Sequence, residues 1–433
     1  MKILYVCHRL PFPPRRGGKI RPFNMIRHLH ATHDVTVASL ARSSLELDEG
    51  QGLAAHCGRF EIARVDNRVQ VARMIVRLGS REPSSFGFFY SPDLARRIDR
   101  LVREIGFDLI FVHCSSVARY VAHVDGVPKI LDFGDMDSQK WIEYARNKPF
   151  PVSLGYRLEG AKLAAEERRL ARRFDVCTAT TRAEWQTLES YGTGVASDWF
   201  PNGVDADYFA PTSSGYEPDT LCFVGRMDYF PNQACMLEFC RDVWPLIRAR
   251  RPEAMLDIVG ADPSPAIRNL ASIAGVRVTG SVPDVRPFLA RSAAMVAPLR
   301  IARGTQNKIL EAMAAGTPVV TSSVAAGGVD AVPGEHLLVA DQADDIAAAT
   351  LELMSDRRRR AQLARAARER VLTNHSWPSS MRRLDGIIER ALHVHASGRT
   401  AASRGTRAHR ADDAPGTQQA SASKTGASEA ASS

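Results

Sequence analysis

The sequence predicts an α/β protein made of two Rossmann-like, doubly wound halves with a cleft between them. The chain has 433 residues, which is too long for one ordinary hydrophobic core. Short apolar runs alternate with amphipathic segments, as in parallel βαβ units. Residues 201–205 read Pro-Asn-Gly-Val-Asp, and residues 211–218 are rich in Ser, Gly and Pro. This turn chemistry predicts a boundary between the two halves.

The N-terminal half begins with an apolar run and continues as a βα series, which we assign to a domain of residues 1–205. Its predicted helices are a segment that follows a pair of glycines and a long charged segment, residues 19–30 and about 154–173. Its predicted strands are residues 2–7, 34–40, 107–112, 129–133 and 176–179.

A second βα series follows a linker at residues 206–218 and defines a C-terminal domain of residues 219–376. Its predicted strands are residues 220–224, 255–259, 276–278, 294–297 and 318–321, and its predicted helices are residues 233–250 and 308–315. A last helix within residues 377–396 is expected to pack back toward the N-terminal domain. Residues 397–433 contain almost no large apolar side chain, so we expect a disordered, solvated tail; the alternative is that its arginines touch anionic lipid or RNA.

The composition is that of a globular protein with an excess of basic residues. Lys and Arg outnumber Asp and Glu, 57 to 48, which gives a net charge of +9. This balance suits nucleotide phosphates or an acidic membrane face, or it reflects an ordinary basic composition. Nucleic acid is disfavoured because the basic residues form no stripe interleaved with aromatics.

The cysteines and the apolar runs indicate a cytoplasmic protein. The seven cysteines include no C-x-x-C pair, which favours reduced, buried thiols over a disulfide framework or a zinc site. The first apolar run is too short for a signal peptide, and no run approaches the length of a transmembrane helix. Any membrane contact is therefore expected to be peripheral, at the inner face of the cytoplasmic membrane.

Ligands of parallel α/β sheets bind where strands end and loops enter helices. One such end carries Gly225 and Arg226, which can bring backbone and a guanidinium to a phosphate. The alternative for Arg226 is an ion pair with a local carboxylate such as Asp228. In the N-terminal loop, Gly17 and Gly18 precede a helix and can wrap an anion; the alternative is a basic surface turn. The loop has neither the spacing of a Walker P-loop nor the G-x-G-x-x-G motif of dinucleotide-binding sites.

The run 298–320 is the most patterned segment of the chain. A Gly304-Thr305 break follows a strand and leads into a helix, whose free N–H groups and positive dipole end suit a diphosphate. Arg303 and Lys308 add positive charge there. Glu311 lies one turn after Lys308 and can accept ribose hydroxyls; the alternative is an ordinary surface pair on a helix.

A fourth cluster combines His113 at a strand end with polar residues after the next strand. At the mouth of a parallel sheet, beside Asp135, Asp137 and Lys140, His113 is placed for a sugar hydroxyl or for proton transfer; the alternative is a structural histidine. Two aspartates supply too few oxygen ligands for a hard cation, so no metal is expected. Trp141 either stacks on a sugar or lipid or belongs to the core.

The segment Glu311-Ala-Met-Ala-Ala-Gly-Thr-Pro-Val-Val320 resembles the signature of the retaining GT-B glycosyltransferases of family four. The Phe223-Val-Gly-Arg226 segment, the 201–205 segment and the two N-terminal glycines match that family in order and spacing to about residue 395. Segments 298–308 and 135–141 are similar to a subgroup associated with bacterial exopolysaccharide (PEP-CTERM/exosortase) systems.

The resemblance implies a metal- and cofactor-independent transfer from a nucleotide-sugar donor, bound mainly by the C-terminal domain, to a glycan or polyprenyl-linked acceptor. Arg226 and Lys308 would stabilise the leaving diphosphate, Glu311 would hold the ribose, and His113 would approach the sugar. The other implied donor contacts are Gly17, Gly18, Gly225, Val282, Asp284, Arg303, Gly304, Thr305, Gln306 and Asn307. The acceptor or sugar side would be Asp135, Asp137, Lys140 and Trp141.

Two departures from the family pattern keep other functions open. The family often has a phosphate-binding lysine where this chain reads Tyr229-Phe-Pro-Asn232, and a glutamate where it has Arg303. Lys308 is a candidate replacement for that lysine. A nucleotide-sugar epimerase of the same fold, or a non-catalytic nucleotide-sugar-binding scaffold, is therefore the alternative.

Overall fold

The computed structural model describes residues 1–14, 17–146, 148–212 and 215–412, with side chains through residue 398. Its strands form two parallel sheets, which confirms the predicted α/β class with two Rossmann-like domains. The first sheet contains β1 Lys2–Cys7, β2 Asp34–Ala41, β3 Arg59–Arg64, β4 Leu109–His113, β5 Lys129–Gly134, β6 Val176–Ala179 and β7 Ala196–Trp199. The second contains β8 Glu217–Val224, β9 Met255–Val259, β10 Val276–Gly280, β11 Ser292–Ala297, β12 Val319–Thr321 and β13 Leu338–Val339.

Both sheets place their most buried strands in the interior and less buried strands at the edges. The strand orders are β3-β2-β1-β4-β5-β6-β7 and β10-β9-β8-β11-β12-β13. Central strands are covered by helices on both faces, so they appear in the sequence as nearly continuous apolar runs. Strands β3, β7 and β13 at the sheet edges were not predicted, because β3 and β7 are only half-buried and mix polar with apolar residues, and β13 has only two residues.

Helices cover both faces of each sheet. The first domain contains α1 Gly17–His30, α2 Ser44–Gly50, α3 Asn67–Val76, α4 Ser84–Phe88, α5 Pro92–Ile105, α6 Ser115–Ala118, α7 Asp137–Arg146, α8 Val152–Ala171 and α9 Arg182–Glu189. The second contains α10 Phe230–Glu238, α11 Trp244–Arg250, α12 Pro265–Asn269, α13 Arg286–Arg291, α14 Asn307–Ala314, α15 Ser323–Ala326, α16 Ala343–Ser355 and α17 Arg357–Asn374, followed by α18 Trp377–Asp412. None of the helices within the described ranges has both the length and the apolar composition that crossing a bilayer requires.

The helix predicted over residues 233–250 is interrupted by a π-helical turn at Phe239–Val243. Pro245 lies in the next turn and has no N–H to continue the regular ladder, which accounts for the wider turn.

The chain crosses between the two domains twice, at adjacent points. The Val204 amide donates to the His375 carbonyl, 2.8 Å away, and Gly203 packs so tightly against Trp377 that a Cβ would lie 2.5 Å from the Trp377 nitrogen. Helix α18 then packs through Met381 and Leu384 into the core of the first domain. The helix extends past residue 396, where we expected it to end, because Ala and Arg favour helix formation. The predicted tail therefore starts inside α18, and its residues 413–433 lie outside the described residues.

Candidate active site

Two helix N-termini, one from each domain, meet where the carboxyl ends of the two sheets face each other. A Cβ on Gly17, the first residue of α1, would lie 3.6 Å from Nδ2 of Asn307, the first residue of α14. Asn202 donates from Nδ2 to Asn307 Oδ1 at 3.4 Å, from the segment where the chain crosses between domains. Within the described residues no side chain caps α14, so its first N–H groups are available to an anion. Arg15 and Arg16, in the loop before α1, lie outside the described residues.

Lys308 joins the two sequence motifs of the C-terminal domain. Its ammonium donates to Asn232 Oδ1 and lies 4.7 Å from the centre of the Phe223 ring. A Cβ on Gly225 would lie 3.3 Å from Nζ, so the glycine leaves room for the ammonium at the end of β8. Burial lowers the pKa of Lys308 to about 8. Asn232 also donates to the Arg226 carbonyl at 2.8 Å, which fixes the amide that holds Lys308.

Glu311 lies one turn beyond Lys308 and is half-buried. Burial raises the pKa of its carboxyl group to about 7, and the Lys308 charge opposes this shift. The pair therefore places a cation and a carboxylate on one side of the α14 N-terminus, where both ionise close to neutral pH.

These two pKa values predict a bell-shaped pH profile. Glu311 is ionised above about pH 7 and Lys308 is protonated below about pH 8, so kcat/KM for the donor should be highest between these values and fall on both sides. Measured donor turnover from pH 5.5 to 9.5 checks this. Glu311→Gln should remove the acidic limb, and Lys308→Arg should remove the alkaline limb. A profile that these variants leave unchanged would show that other groups set it.

Arg226 forms the local ion pairs that the sequence left as its alternative. Its guanidinium donates to Asp228 at 3.0 and 2.7 Å and also pairs with Asp262, and its side chain is 38% exposed. The phosphate role of Arg226 stays a prediction: in this structure two carboxylates pair with its guanidinium, whereas Lys308 lies beside Gly225.

Arg303 and Gly304 contact the opposite domain. The Arg303 Nε donates to Glu143 at 2.8 Å, and its Nη1 lies 3.6 Å from Glu184. Gly304 has a φ of +62° and lies against Asp135 so closely that a Cβ would be 1.8 Å from Oδ1. The donor contact of Arg303 stays a prediction, and in this structure its charge is used in an ion pair across the cleft.

Reversing the Arg303 charge should weaken donor binding by opening this contact. In Arg303→Glu, three carboxylates would face each other across the cleft, and KM for the donor should rise roughly three- to tenfold. The double variant Arg303→Glu/Glu143→Arg should recover most of the loss. Steady-state kinetics check this, with Arg300→Glu as the control because Arg300 pairs with Glu238 inside its own domain. Equal effects of both single variants would argue against a role for the cross-cleft pair.

The remaining predicted donor contacts divide into two groups. Thr305 has a buried Oγ1 that lacks a hydrogen-bond partner among the described residues, and the Gln306 amide donates to the Arg303 carbonyl at 3.1 Å, so both lie in the cleft loop. Val282, in contrast, packs against the core of the C-terminal domain. Asp284 is tied to Arg286, and this hydrogen bond lowers the pKa of its carboxyl group.

His113 is held by a buried polar network on the first domain. His113 and Asp132 are register partners on β4 and β5, and Nδ1 lies 2.7 Å from Asp132 Oδ2. Arg21, from the second turn of α1, donates to both carboxylate oxygens at 2.9 and 3.0 Å, and to Asn202 Oδ1 at 3.1 Å. Burial opposes ionisation of Asp132, but Arg21 and His113 outweigh it and hold its pKa well below the usual range. The network thus fixes the His113 ring and runs through Asn202 to Asn307.

Asp137 and Lys140 lie together on the first turn of α7. Burial raises the pKa of Asp137, and the positive charge of Lys140 opposes this shift. The pKa of Lys140 is raised, because the Asp137 charge outweighs the lowering effect of burial. Trp141 packs against Tyr156 with ring centres 5.0 Å apart, so the core alternative applies to it. Within the described part of the chain, no three His, Cys, Asp or Glu side chains are grouped as metal ligands. All seven cysteines are buried free thiols.

The sequence pattern missed several residues of this site. Asn232 lies in the segment 229–232, where the family pattern has a lysine and this chain has none. Its contact with Lys308 depends on how β8 and α14 pack, which the sequence does not show. Asp132 was a charged residue inside an apolar strand, and Arg21 lies on the buried face of α1, which are signals of a buried ion pair. His8, after β1, lies 5.8 Å from His113 between ring centres, and burial and that neighbour lower its pKa well below the usual value.

Comparisons with known families match both halves of the chain. The model described as Glycosyltransferase Family 4 matches residues 16–208, and the model described as Glycosyl transferases group 1 matches residues 218–356. The two matches are separated by residues 209–217, between the two sheets.

Two curated relatives from Mycolicibacterium smegmatis are mannosyltransferases. The chain is 28% identical to a phosphatidyl-myo-inositol mannosyltransferase over 295 residues, which are 65% of this chain and 71% of the relative. It is 26% identical to a GDP-mannose-dependent alpha-(1-6)-phosphatidylinositol monomannoside mannosyltransferase over 410 residues, 87% of this chain and 96% of the relative.

Solved structures share the fold at low sequence identity. Sucrose-phosphate synthase from Thermosynechococcus elongatus has a TM-score of 0.65 at 15% identity, covering 90% of this chain and 98% of that one. Anabaena HepE in complex with UDP-glucose has a TM-score of 0.64 at 14% identity, covering 90% and 99%.

Proposed function

The chain is a glycosyltransferase of the GT-B fold, and from this premise we propose that it transfers a hexose from a nucleoside-diphosphate donor to a lipid-linked acceptor, with retention of configuration. The observation that carries the proposal is the meeting of two helix N-termini at Gly17 and Asn307, with Lys308 beside them. Both positive dipole ends favour one anion between the domains. The named relatives act on phosphatidylinositol lipids, and HepE binds UDP-glucose, which supports the two substrate classes.

In the proposed step, the bond between the sugar C1 and the β-phosphate oxygen breaks as the acceptor oxygen bonds to C1 from the same face. The acceptor proton passes to the departing diphosphate. Lys308 and the α14 N–H groups stabilise the negative charge that grows on that leaving group. Glu311 holds the ribose, and His113 is positioned at the sugar by Asp132. No metal is required in this scheme.

We also propose a cytoplasmic location and a role in exopolysaccharide or other cell-surface glycan synthesis. These rest on the buried thiols and on the similarity of residues 298–308 and 135–141 to the exopolysaccharide-associated subgroup. The preceding reactions must then supply an activated hexose and a lipid-anchored glycan or polyol.

The function is tested by incubating the protein with UDP- and GDP-hexoses, with and without extracted bacterial lipids. We expect slow donor hydrolysis alone, faster donor consumption with lipid, and a glycolipid whose anomeric configuration, read by NMR, matches the donor. Interconversion of donor sugars without an acceptor would establish an epimerase. Nucleotide binding without any turnover of any donor would establish a scaffold. An inverted product would overturn retention.

A further inference from the structure

We propose that an apolar, basic surface on the first domain, formed by residues 68–81 and 148–162, docks on an anionic lipid bilayer. Eighteen large apolar side chains are exposed in the described residues, and half of them lie in these two short segments. They are Val69 (48% exposed), Val71 (40%), Ile75 (57%), Val76 (82%), Leu78 (60%), Phe150 (80%), Val152 (50%), Leu154 (49%) and Leu158 (56%). Single exposed apolar side chains are common on protein surfaces, whereas a contiguous exposed apolar patch marks an interaction site.

The two segments form one continuous surface. The Lys162 ammonium, on α8, donates to the Leu78 carbonyl just after α3, at 2.8 Å. Leu158 is one turn before Lys162 on the same helix face, so it lies beside the end of α3. Glu159 also binds the N-terminus of α4, since its carboxylate accepts from the amides of Ser84 and Ser85 at 3.0 and 2.8 Å. The apolar ends of α3 and α8 are therefore held side by side.

The charges around these apolar residues are almost all positive. The exposed Glu82, next to the first segment, already pairs with Arg77 and Arg119. The one carboxylate within the two segments is Glu159, which is buried. Their basic residues are Arg68, Arg73, Arg77, Arg81, Lys148, Arg157 and Lys162. Apolar side chains bordered by Arg and Lys match the boundary between headgroups and acyl chains of an anionic leaflet, where each cation adds attraction.

The surface is continuous with the mouth of the cleft, which favours a bilayer over a second copy of this chain. Lys148 lies 4.3 Å from the Phe230 ring of the C-terminal domain, and the hydroxyls of Tyr144 and Tyr229 are 3.4 Å apart. Phe150, the second residue after Lys148, is 80% exposed. An acceptor anchored in a bilayer at this surface would therefore present its headgroup beside Lys140 and His113. This last step rests on the proposed function, whereas the docking itself does not.

Vesicle binding tests the docking. Co-sedimentation is measured with vesicles of phosphatidylcholine alone and with vesicles containing phosphatidylglycerol, using the wild-type chain and the variant Ile75→Ser/Val76→Ser/Phe150→Ser. The control variant, Leu45→Ser/Val332→Ser/Leu372→Ser, removes three exposed apolar side chains that lie outside this surface (67%, 44% and 47% exposed). The wild type and the control should bind the anionic vesicles, and the surface variant should bind at least about tenfold more weakly. High salt should weaken binding of the wild type.

Three results would overturn the proposal: no preference of the wild type for anionic vesicles, equal binding of both variants, or self-association of the wild type that the surface variant loses in the absence of lipid. An unchanged thermal unfolding midpoint and unchanged donor hydrolysis by the surface variant in lipid-free buffer would show that it is folded. If the wild type binds vesicles in this pattern but turns over no donor, the proposed function fails and the surface stands.

Discussion

Lys308→Ala is expected to lower kcat/KM for the donor by about a hundred- to a thousandfold, the loss typical of removing one group that stabilises transition-state charge. The ammonium is preorganised by Asn232 and lies beside Gly225, where the donor diphosphate is proposed to bind. Its pKa of about 8 leaves it mostly protonated at neutral pH. Steady-state hydrolysis of the preferred donor measures the effect, and calorimetry with the nucleoside diphosphate measures the binding component.

Two matched variants separate the role of Lys308 from a general loss of positive charge. Arg226→Ala should cost less than Lys308→Ala, because Asp228 and Asp262 already neutralise that guanidinium. Arg241→Ala, which removes an exposed cation paired with Asp242 in the same domain, should leave activity within about twofold of the wild type. If Arg226→Ala were the more damaging variant, Arg226 would be the phosphate ligand and would exchange its carboxylate partners for the donor.

Asp132→Asn is expected to destabilise the first domain by about 3–5 kcal/mol, because it leaves the buried Arg21 charge without a counterion. The Arg21 and Asp132 side chains are 3% and 0% exposed, and Asp132 also accepts from Thr178 at 2.9 Å. For a domain of this size the unfolding midpoint should fall by roughly 6–20 °C, measured by calorimetry. The depressed pKa of Asp132 means that this stabilisation is present above the usual carboxyl pKa and is lost as strong acid protonates the group.

The control for this prediction is Asp198→Asn, which removes a half-exposed carboxylate 4.0 Å from Arg390 in the same domain and should shift the midpoint by no more than about 2 °C. Arg21→Met/Asp132→Leu, which replaces the ion pair with apolar groups, should recover part of the loss. His113→Asn should lower activity with little loss of stability. An unchanged midpoint in Asp132→Asn would show that the pair is not a stabilising feature of the fold.

Much of the donor side was predictable because its residues are close in sequence and lie in a patterned segment. The break at Gly304, the helix from Asn307 and the spacing of Lys308 and Glu311 are local features. The order of strands and the ends of the central strands then bring Gly225 to the same edge of the sheet.

The rest was not predictable because it depends on contacts between distant residues. The partner of Arg303 is 160 residues away in the other domain, and the partner of Asp132 is 111 residues away. Local patterns do not specify which carboxylate a given arginine meets. The exposed apolar face of α3 was also missed, because the alternation of Val and Ile with polar residues in that segment does not show which side is covered.

The proposed activity requires that a nucleoside diphosphate binds between the N-termini of α1 and α14. A crystal structure of the chain with the diphosphate of its preferred donor tests this most directly. We predict that the β-phosphate lies within hydrogen-bond distance of Lys308 Nζ and the Asn307 amide, with Gly17 on its other side and Glu311 at the ribose. A nucleotide bound elsewhere, for example in the cavity of about 360 Å³ lined by Cys235, Arg300 and Asp341, with the space between the two helix ends empty, would contradict it.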